Sequence, residues 1–469
     1  MTPDPTSPAV DPRPAPAPGH DRGAAPVAES ERIEIVDVVR GVALLGILLM
    51  NIPFFAMPER FTEPWRADPH SPNFWVYAVN TILFEGKMRA LFSAVFGAGI
   101  VLFTVGKEKG GRSATGLFYR RMVWLTIFGL AHAHLLLWLG DILYFYGLIG
   151  MLAFLLRRVA PRWLALGVPL VAVIGFVGNT LFYQNLREKR LAWREAVTAQ
   201  QAGRPLTAPQ DSALVAWRAV EKEFLPNDAE RAEHTALMKG SYGEVASFVR
   251  DKAADGEFKY LVFSIWDMLA LMLLGIALYR WGFLTAQWST SAYVRTALIG
   301  YAVGLTAVTY SFVHGVLVTP TVQAMLTAME REPVPWTGAL YDVQRIALMM
   351  AHVSVIMLVY RAGWLRGLVA RLRAVGQMAF TNYVMHTVIC SLVFFGYGLN
   401  QFAEWEYYQL YWLVLAIWGL QLVVSPLWLR GFQFGPLEWL WRTLTYGARQ
   451  PFLRRPAAPT VPVAGTMAG

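Results

Sequence analysis

The stretch IVDVVRGVALLGILLMNIPFF, residues 35–55, is long enough and apolar enough to cross a bilayer as one helix, yet it contains Asp37, Arg40 and Asn51. A charged side chain at mid-membrane costs roughly 3 kcal/mol on insertion scales, so such a residue usually has a partner or a function. Asp37 and Arg40 are three residues apart and share one face of the predicted helix, where they form either a structural ion pair or the foot of a site. Asn51 follows Arg40 by eleven residues, about three turns further along the helix.

The rest of the chain has the composition of a membrane protein. Hydrophobic residues make up 55% of its 469 residues and charged residues only 16%, against about 25% in soluble domains. The apolar residues come in long blocks, which predicts an all-α, polytopic membrane protein with about ten transmembrane helices. The predicted spans are 35–56, 74–106, 119–139, 141–157, 162–184, 259–280, 292–318, 338–360, 375–398 and 406–429.

Lysines and arginines near the ends of these spans predict the orientation of the chain. They concentrate in 107–121, 157–163, 361–373 and the segment after 429, which all lie on one side if both termini are cytoplasmic. The alternate connections are short and near neutral. This bias also explains the net charge of +9, so we expect the lipid bilayer, and no nucleic acid, as the partner of the charged surface.

The predicted domain organisation has two membrane halves separated by a polar insert. The divisions are 1–31, a disordered cytoplasmic tail; 32–184, a first half of five spans; 185–258, an extracytoplasmic helical insert between spans five and six; 259–450, a second half of five spans; and 451–469, a second disordered cytoplasmic tail.

The second predicted span is unusual because its 33 residues are too many for one straight crossing. Glu85, Lys87 and Arg89 lie in its middle, around Gly86. One interpretation is an outer amphipathic helix followed by a shorter crossing. The other is a broken helix that turns charged groups into a cavity. Both leave Lys87 close to the outer part of the bundle.

Two histidines stand near the end of the third span, in GLAHAHLLLWLGDILYFYG, residues 129–147. His132 and His134 point about 200° apart on a helix and cannot bind one metal together, so we predict no metal site. Within a membrane bundle His132 is a candidate general base, the alternative being a hydrogen-bonded core residue. Asp141 either caps the next helix or serves a site. Cys390 is the single cysteine, which excludes an internal disulfide.

Together these segments resemble the YeiB-like family of multi-pass bacterial membrane proteins. The matching segments are DVVRGVALLGILLMN (37–51), EGKMRALFSAVFGAGI (85–100), GLAHAHLLLWLGDILYFYG (129–147), GQMAFTNYVMHTVI (376–389) and GFQFGPLEWLWRTLTY (431–446). More distantly, the chain is similar to transmembrane acyltransferases such as heparan-α-glucosaminide N-acetyltransferase and the bacterial membrane O-acyltransferases. The shared mark is an Arg-Gly pair on the first helix with a polar residue eleven positions after the arginine.

The resemblance implies a set of site residues. The positions that match family motifs are Asp37, Arg40, Asn51, Lys87, His132, Asp141, Asn382, Tyr383 and Glu438. Two departures leave the donor site in doubt: Gln377 stands where the family commonly has Arg, and His386 where it commonly has Gln. Asn51 looks like the Asn of the heparan enzyme, whereas the O-acyltransferases have His at this position.

The resemblance also implies a function in the bacterial cytoplasmic (inner) membrane. Such a protein moves an acyl group from cytoplasmic acyl-CoA, for example acetyl-CoA as co-substrate, to an envelope or extracytoplasmic glycan or small-molecule acceptor. His132 is then the base, Asn51 or Lys87 stabilises the oxyanion, and the other matched residues bind substrate and donor. The alternatives are a transporter or exporter of a small metabolite and a non-catalytic scaffold, and the sequence also leaves a homodimer open.

Overall fold

The computed structural model describes residues 34–58, 64–108, 114–225 and 227–454. The predicted tail 1–31 and most of the tail 451–469 lie outside these ranges. The helices are α1 (Glu34–Ala56), α2 (Pro72–Val79), α3 (Lys87–Glu108), α4 (Thr115–His134), α5 (Leu143–Leu155), α6 (Pro161–Gln201), α7 (Ala208–Phe224), α8 (Asp228–Met238), α9 (Tyr242–Arg280), α10 (Thr290–Val318), α11 (Val322–Arg331), α12 (Tyr341–Arg361), α13 (Arg366–Gln377), α14 (Ala379–Phe394), α15 (Leu410–Gly431) and α16 (Pro436–Tyr446).

The fold is all-α, as the hydropathy pattern predicts. Over the described ranges the chain forms no β-strand, only one isolated bridge between Phe432 and Leu453. Six helical stretches are long and apolar enough to cross a membrane: 34–56, 72–105, 161–201, 290–318, 336–361 and 407–431. The other four predicted spans also fall on helices, two of which, α5 and α14, are short and apolar. The chain is thus a helical membrane protein.

α1 lies at the centre of the bundle. In its apolar stretch 78% of the residues are buried, against 6% in α6, so α1 is a core helix and α6 a peripheral one. The apolar face of α6, including Leu166, Leu170 and Val173, is exposed and suits contact with lipid. We name the two ends of the bundle the Glu34 end and the Ala56 end, after the termini of α1.

Small residues allow the central helices to approach closely. A Cβ atom on Gly41 would lie 2.2 Å from the Leu372 carbonyl oxygen, and one on Gly376 would lie 1.8 Å from the Asp37 carbonyl oxygen. Both glycines therefore form the crossing of α1 and α13. Close backbone contact through glycine is the usual way that membrane helices gain packing energy, because lipid tails compete for larger apolar side chains.

The second predicted span is a broken helix. α2 continues into one π-helical turn, Asn80–Phe84, and α3 begins after Gly86, whose φ of 75° is in the left-handed region. The carbonyl groups freed by the break have partners: Lys87 donates to Thr81 (2.7 Å) and His352 to Leu83 (2.9 Å). Irregular backbone inside a membrane protein needs such partners, because lipid supplies none.

The ninth predicted span, 375–398, is wrong at its start. The helix α13 ends at Gln377, and α14 begins two residues later. Glu438 from α16 caps the new helix, accepting hydrogen bonds from the backbone N–H groups of Phe380 (2.7 Å) and Thr381 (3.1 Å). This cap stabilises the start of α14 directly after the basic helix α13, which carries Arg366, Arg371 and Arg373.

The polar segment 185–258 is built on two helices of the bundle. α6 and α9 run without interruption from the bundle into this segment, so both predicted boundaries fall inside helices. α9 begins with a capping box formed by Ser241 and Glu244. At the Ala56 end the segment packs on loop 395–405, where the Gly396 N–H donates to the Met238 carbonyl (2.9 Å).

Candidate functional site

His132 is held by two hydrogen bonds in the interior of the bundle. Its Nδ1 lies 2.8 Å from Asp141 Oδ1, and its Nε2 lies 2.8 Å from Thr387 Oγ1. An ionised carboxylate can only accept, so Nδ1 carries the proton and Nε2 accepts from the threonine hydroxyl. All three side chains are buried. Carboxylate, imidazole and hydroxyl in this order form the arrangement by which hydrolases and acyltransferases activate a hydroxyl group.

Asp141 contacts both the start of the next helix and the His132 ring. Its Oδ2 accepts from the Tyr144 N–H (2.8 Å) at the start of α5, while Oδ1 binds His132. The position of the carboxylate is therefore fixed by the helix that it caps. Gly129 faces the same point, since a Cβ there would lie 2.7 Å from Asp141 Oδ2.

Aromatic side chains surround this site. The Tyr383 ring packs edge-on against His132 at 5.1 Å between centroids, and its hydroxyl donates to the Gly140 carbonyl (3.2 Å). Trp138 donates to the Tyr383 hydroxyl (3.2 Å) and stacks on Phe55 at 3.8 Å. The turn between α4 and α5 is thus folded into the bundle, against the last turn of α1.

The polar segment roofs this turn at the Ala56 end. From α9, Tyr242 donates to the Leu135 carbonyl and Arg250 to the His134 carbonyl, each at 2.8 Å. His134 lies 3.0 Å from Glu257, also on α9. His132 and His134 therefore belong to different environments, the first inside the bundle and the second beneath the roof.

A second polar network joins α14 and α15 one turn away from the site. Asn382 donates to the Val375 carbonyl (3.1 Å) and to Ser425 (3.0 Å), and its own carbonyl accepts from Gln421 (3.0 Å). Gln421 also accepts from His386 Nε2 (3.0 Å). His386 Nδ1 is buried and has no hydrogen-bond partner in the described part of the chain.

Charged residues gather at the Glu34 end. Asp37 and Arg40 form an ion pair, and Arg40 also donates to the Gly376 carbonyl (3.4 Å). On α4, Arg121 lies flat on the Trp441 ring at 3.5 Å from its centroid. Arg40, Arg442 and the Glu438 carboxylate are the charged groups near Arg121.

These cations and the His132 site are aligned along two helices. Arg121 and His132 are eleven residues apart on α4, which places them on nearly the same face and about 16 Å apart. Arg40 and Asn51 have the same spacing on α1. Asn51 is partly buried, and its side chain makes no hydrogen bond to any residue that the structure describes.

Lys87 lies deeper than its sequence position predicts. The neighbouring Met88 side chain packs at Gly46, the middle of α1, and the Lys87 ammonium is buried against the Thr81 carbonyl. It makes no direct contact with His132 among those described. The nearby charges of Arg89, Asp267 and Arg345 are paired across α3, α9 and α12.

Of the matched residues, the fold brings His132, Asp141 and Tyr383 together. Glu438 and Asn382 hold the start and the flank of α14, and Asp37 and Arg40 lie at the Glu34 end. Thr387 and Trp138 are not among the residues that the motifs predict for the site. Thr387 could have been found only by testing which hydroxyl on the ninth span faces the His132 position, since 255 residues separate them.

The fold and the site define a helical membrane protein with a buried carboxylate–imidazole–hydroxyl group. A family model described as "Protein of unknown function (DUF418)" matches residues 278–448. The uncharacterized protein YeiB of Escherichia coli K12 is 30% identical over 437 residues, covering 91% of this chain and 99% of its own. The chain belongs to the YeiB-like family, which confirms the resemblance read from its motifs.

Two further relatives match along nearly the whole chain. The uncharacterized protein YxaH of Bacillus subtilis 168 is 28% identical over 440 residues, or 92% of this chain and 98% of its own. An uncharacterized 39.9 kDa protein from the amylase 3′ region of Bacillus acidopullulyticus is 25% identical over 434 residues, or 92% and 99%. No solved structure matches the chain.

Proposed function

We propose that the protein is a transmembrane acyltransferase in which His132 is the general base. The observation that carries the proposal is the buried His132, with Nδ1 held by Asp141 and Nε2 on the Thr387 hydroxyl. Asp141 fixes the tautomer in which Nε2 can take a proton, which is the task of the carboxylate in catalytic triads.

The chemistry is transfer of an acyl group from a thioester to a hydroxyl or amine. The acceptor loses its proton to His132 Nε2 while its oxygen or nitrogen attacks the carbonyl carbon. The carbon–sulfur bond then breaks, and the imidazolium returns the proton to the thiolate. Thr387 either marks the position of the acceptor hydroxyl or is itself acylated first and deacylated by the acceptor.

The cations of the Glu34 end support a donor that carries phosphate. Arg121 lies on the face of α4 that also bears His132, about 16 Å away, and Arg40 and Arg442 are near it. A donor bound there by its phosphates needs an extended arm of that length to present a thioester to His132. Acyl-CoA, with acetyl-CoA as the simplest case, has this form: phosphates at one end, a thioester at the other.

We propose that the chain crosses the bacterial inner membrane ten times with both termini cytoplasmic. In this orientation the donor enters at the Glu34 end. The acceptor, a glycan or small molecule of the envelope, then approaches from the Ala56 end, beneath the roof formed by α9.

Acetylation of envelope material from labelled acetyl-CoA tests the proposal in membranes that contain each variant. We expect His132→Ala to lower transfer at least about a hundredfold, because general base catalysis is lost. His134→Ala is the matched control on the same helix, since His134 binds Glu257 outside the site. Asp141→Asn and Glu257→Gln form a second pair, of which only the first should lower transfer.

Substitution of Thr387 distinguishes direct transfer to the acceptor from transfer through an acylated Thr387. Thr387→Val removes the hydroxyl and abolishes transfer if Thr387 is acylated, whereas transfer persists if Thr387 only marks the acceptor position. Undiminished transfer by folded His132→Ala protein, with a melting temperature close to that of the parent, would contradict the assignment of His132.

A metabolite transporter is the second candidate, and the broken helix between α2 and α3 favours it. Discontinuous helices with a buried cation, here Lys87, form the substrate sites of many secondary transporters. Thermal stabilisation of the purified protein discriminates between the two functions. Stabilisation by acetyl-CoA supports the acyltransferase. Stabilisation by a metabolite alone, with uptake into proteoliposomes that Lys87→Gln abolishes, supports transport.

A further inference from the structure

A cavity of about 480 Å³ opens at the Glu34 end, apart from the His132 site. It lies between the start of α1, the end of α12 and the helix α13. Its lining includes Arg361, Arg366, Arg373 and Trp364, with Glu34 as its one carboxylate. Neither the His132 site nor the cations around Arg121 contribute to it.

The cavity carries a surplus of positive charge. Glu34 is paired with Arg373, which leaves the charges of Arg361 and Arg366 without a carboxylate among the cavity residues. Arg361 donates to the carbonyls of Trp288 and Ala286. Among the residues that the structure describes, Arg366 donates only through Nε, to the Gly363 carbonyl (3.2 Å). A guanidinium has five N–H donors, so both can donate further hydrogen bonds into the cavity.

Apolar side chains project beside these arginines. Trp364 is 68% exposed, Leu365 64% and Leu368 41%. Leu365 has a φ of 51°, a left-handed conformation that non-glycine residues rarely adopt. The turn thus holds a tryptophan and a leucine outward at the end of a membrane bundle, where tryptophan typically lies at the level of lipid headgroups.

We propose that this cavity binds the phosphate group of an anionic phospholipid, with Arg361 and Arg366 as its ligands. Arginine pairs well with phosphate because its planar donors match the phosphate oxygens. Trp364, Leu365 and Leu368 contact the glycerol and acyl portions of the same lipid. These apolar contacts are what favours a lipid over a water-soluble phosphate, and the proposal does not depend on the proposed enzymatic function.

Native mass spectrometry of the purified protein with phosphatidylglycerol, cardiolipin or phosphatidylcholine tests the site. We expect phosphatidylglycerol and cardiolipin to bind and phosphatidylcholine to bind at least about fivefold more weakly, because its headgroup has no net charge. Arg366→Gln should weaken binding of the anionic lipids about fivefold. Arg371→Gln is the matched control, since Arg371 lies exposed on the same helix, binds the Leu422 carbonyl and does not line the cavity.

Two further measurements decide the source of the phosphate. Inorganic phosphate and glycerol phosphate, at the same phosphate concentration, should not displace the lipid, and Trp364→Ala should weaken lipid binding as well. Displacement by either soluble phosphate would overturn the lipid assignment. Equal loss of binding in Arg366→Gln and Arg371→Gln would show a nonspecific charge effect and overturn the site.

Discussion

At the scale of single residues, the two hydrogen bonds of His132 decide what its ring can do. With Nδ1 donating to Asp141, the ring cannot rotate away or change tautomer without leaving the buried Oδ1 of Asp141 without its partner. Such a loss costs about 1–3 kcal/mol, and more for a charged group. His132 is therefore oriented before any substrate arrives, which is the property that a general base in a buried site requires.

His234 on α8 gives a prediction about pH. Its ring packs on Phe248 at 4.5 Å between centroids, and this burial, with a smaller contribution from Lys252, lowers the pKa of His234 to about 4. The unfolded chain takes up a proton near pH 6.5, so the stabilisation is complete above that pH and is lost as pH falls from 6.5 towards 4. The melting temperature of the purified protein should fall over this range, and His234→Gln should reduce that fall. An identical pH dependence in both proteins would contradict the prediction.

Sequence reasoning finds part of the His132 site because part of it is local. His132 and Asp141 are nine residues apart across a turn, so their proximity follows from the predicted helices. Thr387 and Tyr383 come from a helix far along the chain, and their contact with His132 depends on how α14 packs against α4. No periodicity in a single sequence contains that information.

At the scale of helices, lengths and apolar blocks are predictable, whereas breaks depend on tertiary partners. The split between α13 and α14 needs Glu438 as a cap, 57 residues from Thr381. The break before α3 needs Lys87 and His352 to satisfy the carbonyls that it frees. Hydropathy continues through the break before α3, so it predicts one apolar segment there, whereas most of α13 falls in the basic stretch 361–373, which the sequence predicts as a connection.

The close crossing of α1 and α13 predicts that a larger residue at position 376 destabilises the protein. Gly376→Ala places a Cβ atom 1.8 Å from the Asp37 carbonyl oxygen, so the helices must separate. We expect a loss of about 1–3 kcal/mol and a lower melting temperature. Gly367→Ala is the control on the same helix, because a Cβ there meets nothing within 4 Å, and alanine favours the helix. A stable Gly376→Ala protein would contradict the close packing.

For the whole molecule, the connections at the Glu34 end are linked to one another. Arg280 donates to the Val159 carbonyl (2.8 Å), and Arg361 donates to the Trp288 carbonyl. The basic connections that predict orientation thus lie together, while the polar segment 185–258 packs at the Ala56 end. This separation of basic turns from the polar segment agrees with the predicted arrangement of both termini on the cytoplasmic side.

Reporter fusions test this arrangement. Alkaline phosphatase inserted after Gly203, where the turn is open and exposed, should be active, because this enzyme matures only outside the cytoplasm. Green fluorescent protein fused after residue 469 should fluoresce in the same cells. An inactive phosphatase at Gly203 in a stably expressed fusion would contradict the predicted orientation.

The unbroken course of α9 has a mechanical consequence. From Arg280 to Tyr242 the helix is about 57 Å long, so a rigid tilt about its Arg280 end would move its Tyr242 end furthest. A tilt of about 5° there carries the tip roughly 5 Å sideways, by the same geometry. The roof has three polar contacts from α9: Tyr242 to the Leu135 carbonyl, Arg250 to the His134 carbonyl and Glu257 to the His134 ring. A displacement of that size at the tip breaks the first contact, so a tilt of α9 would begin to uncover the turn at its Tyr242 end.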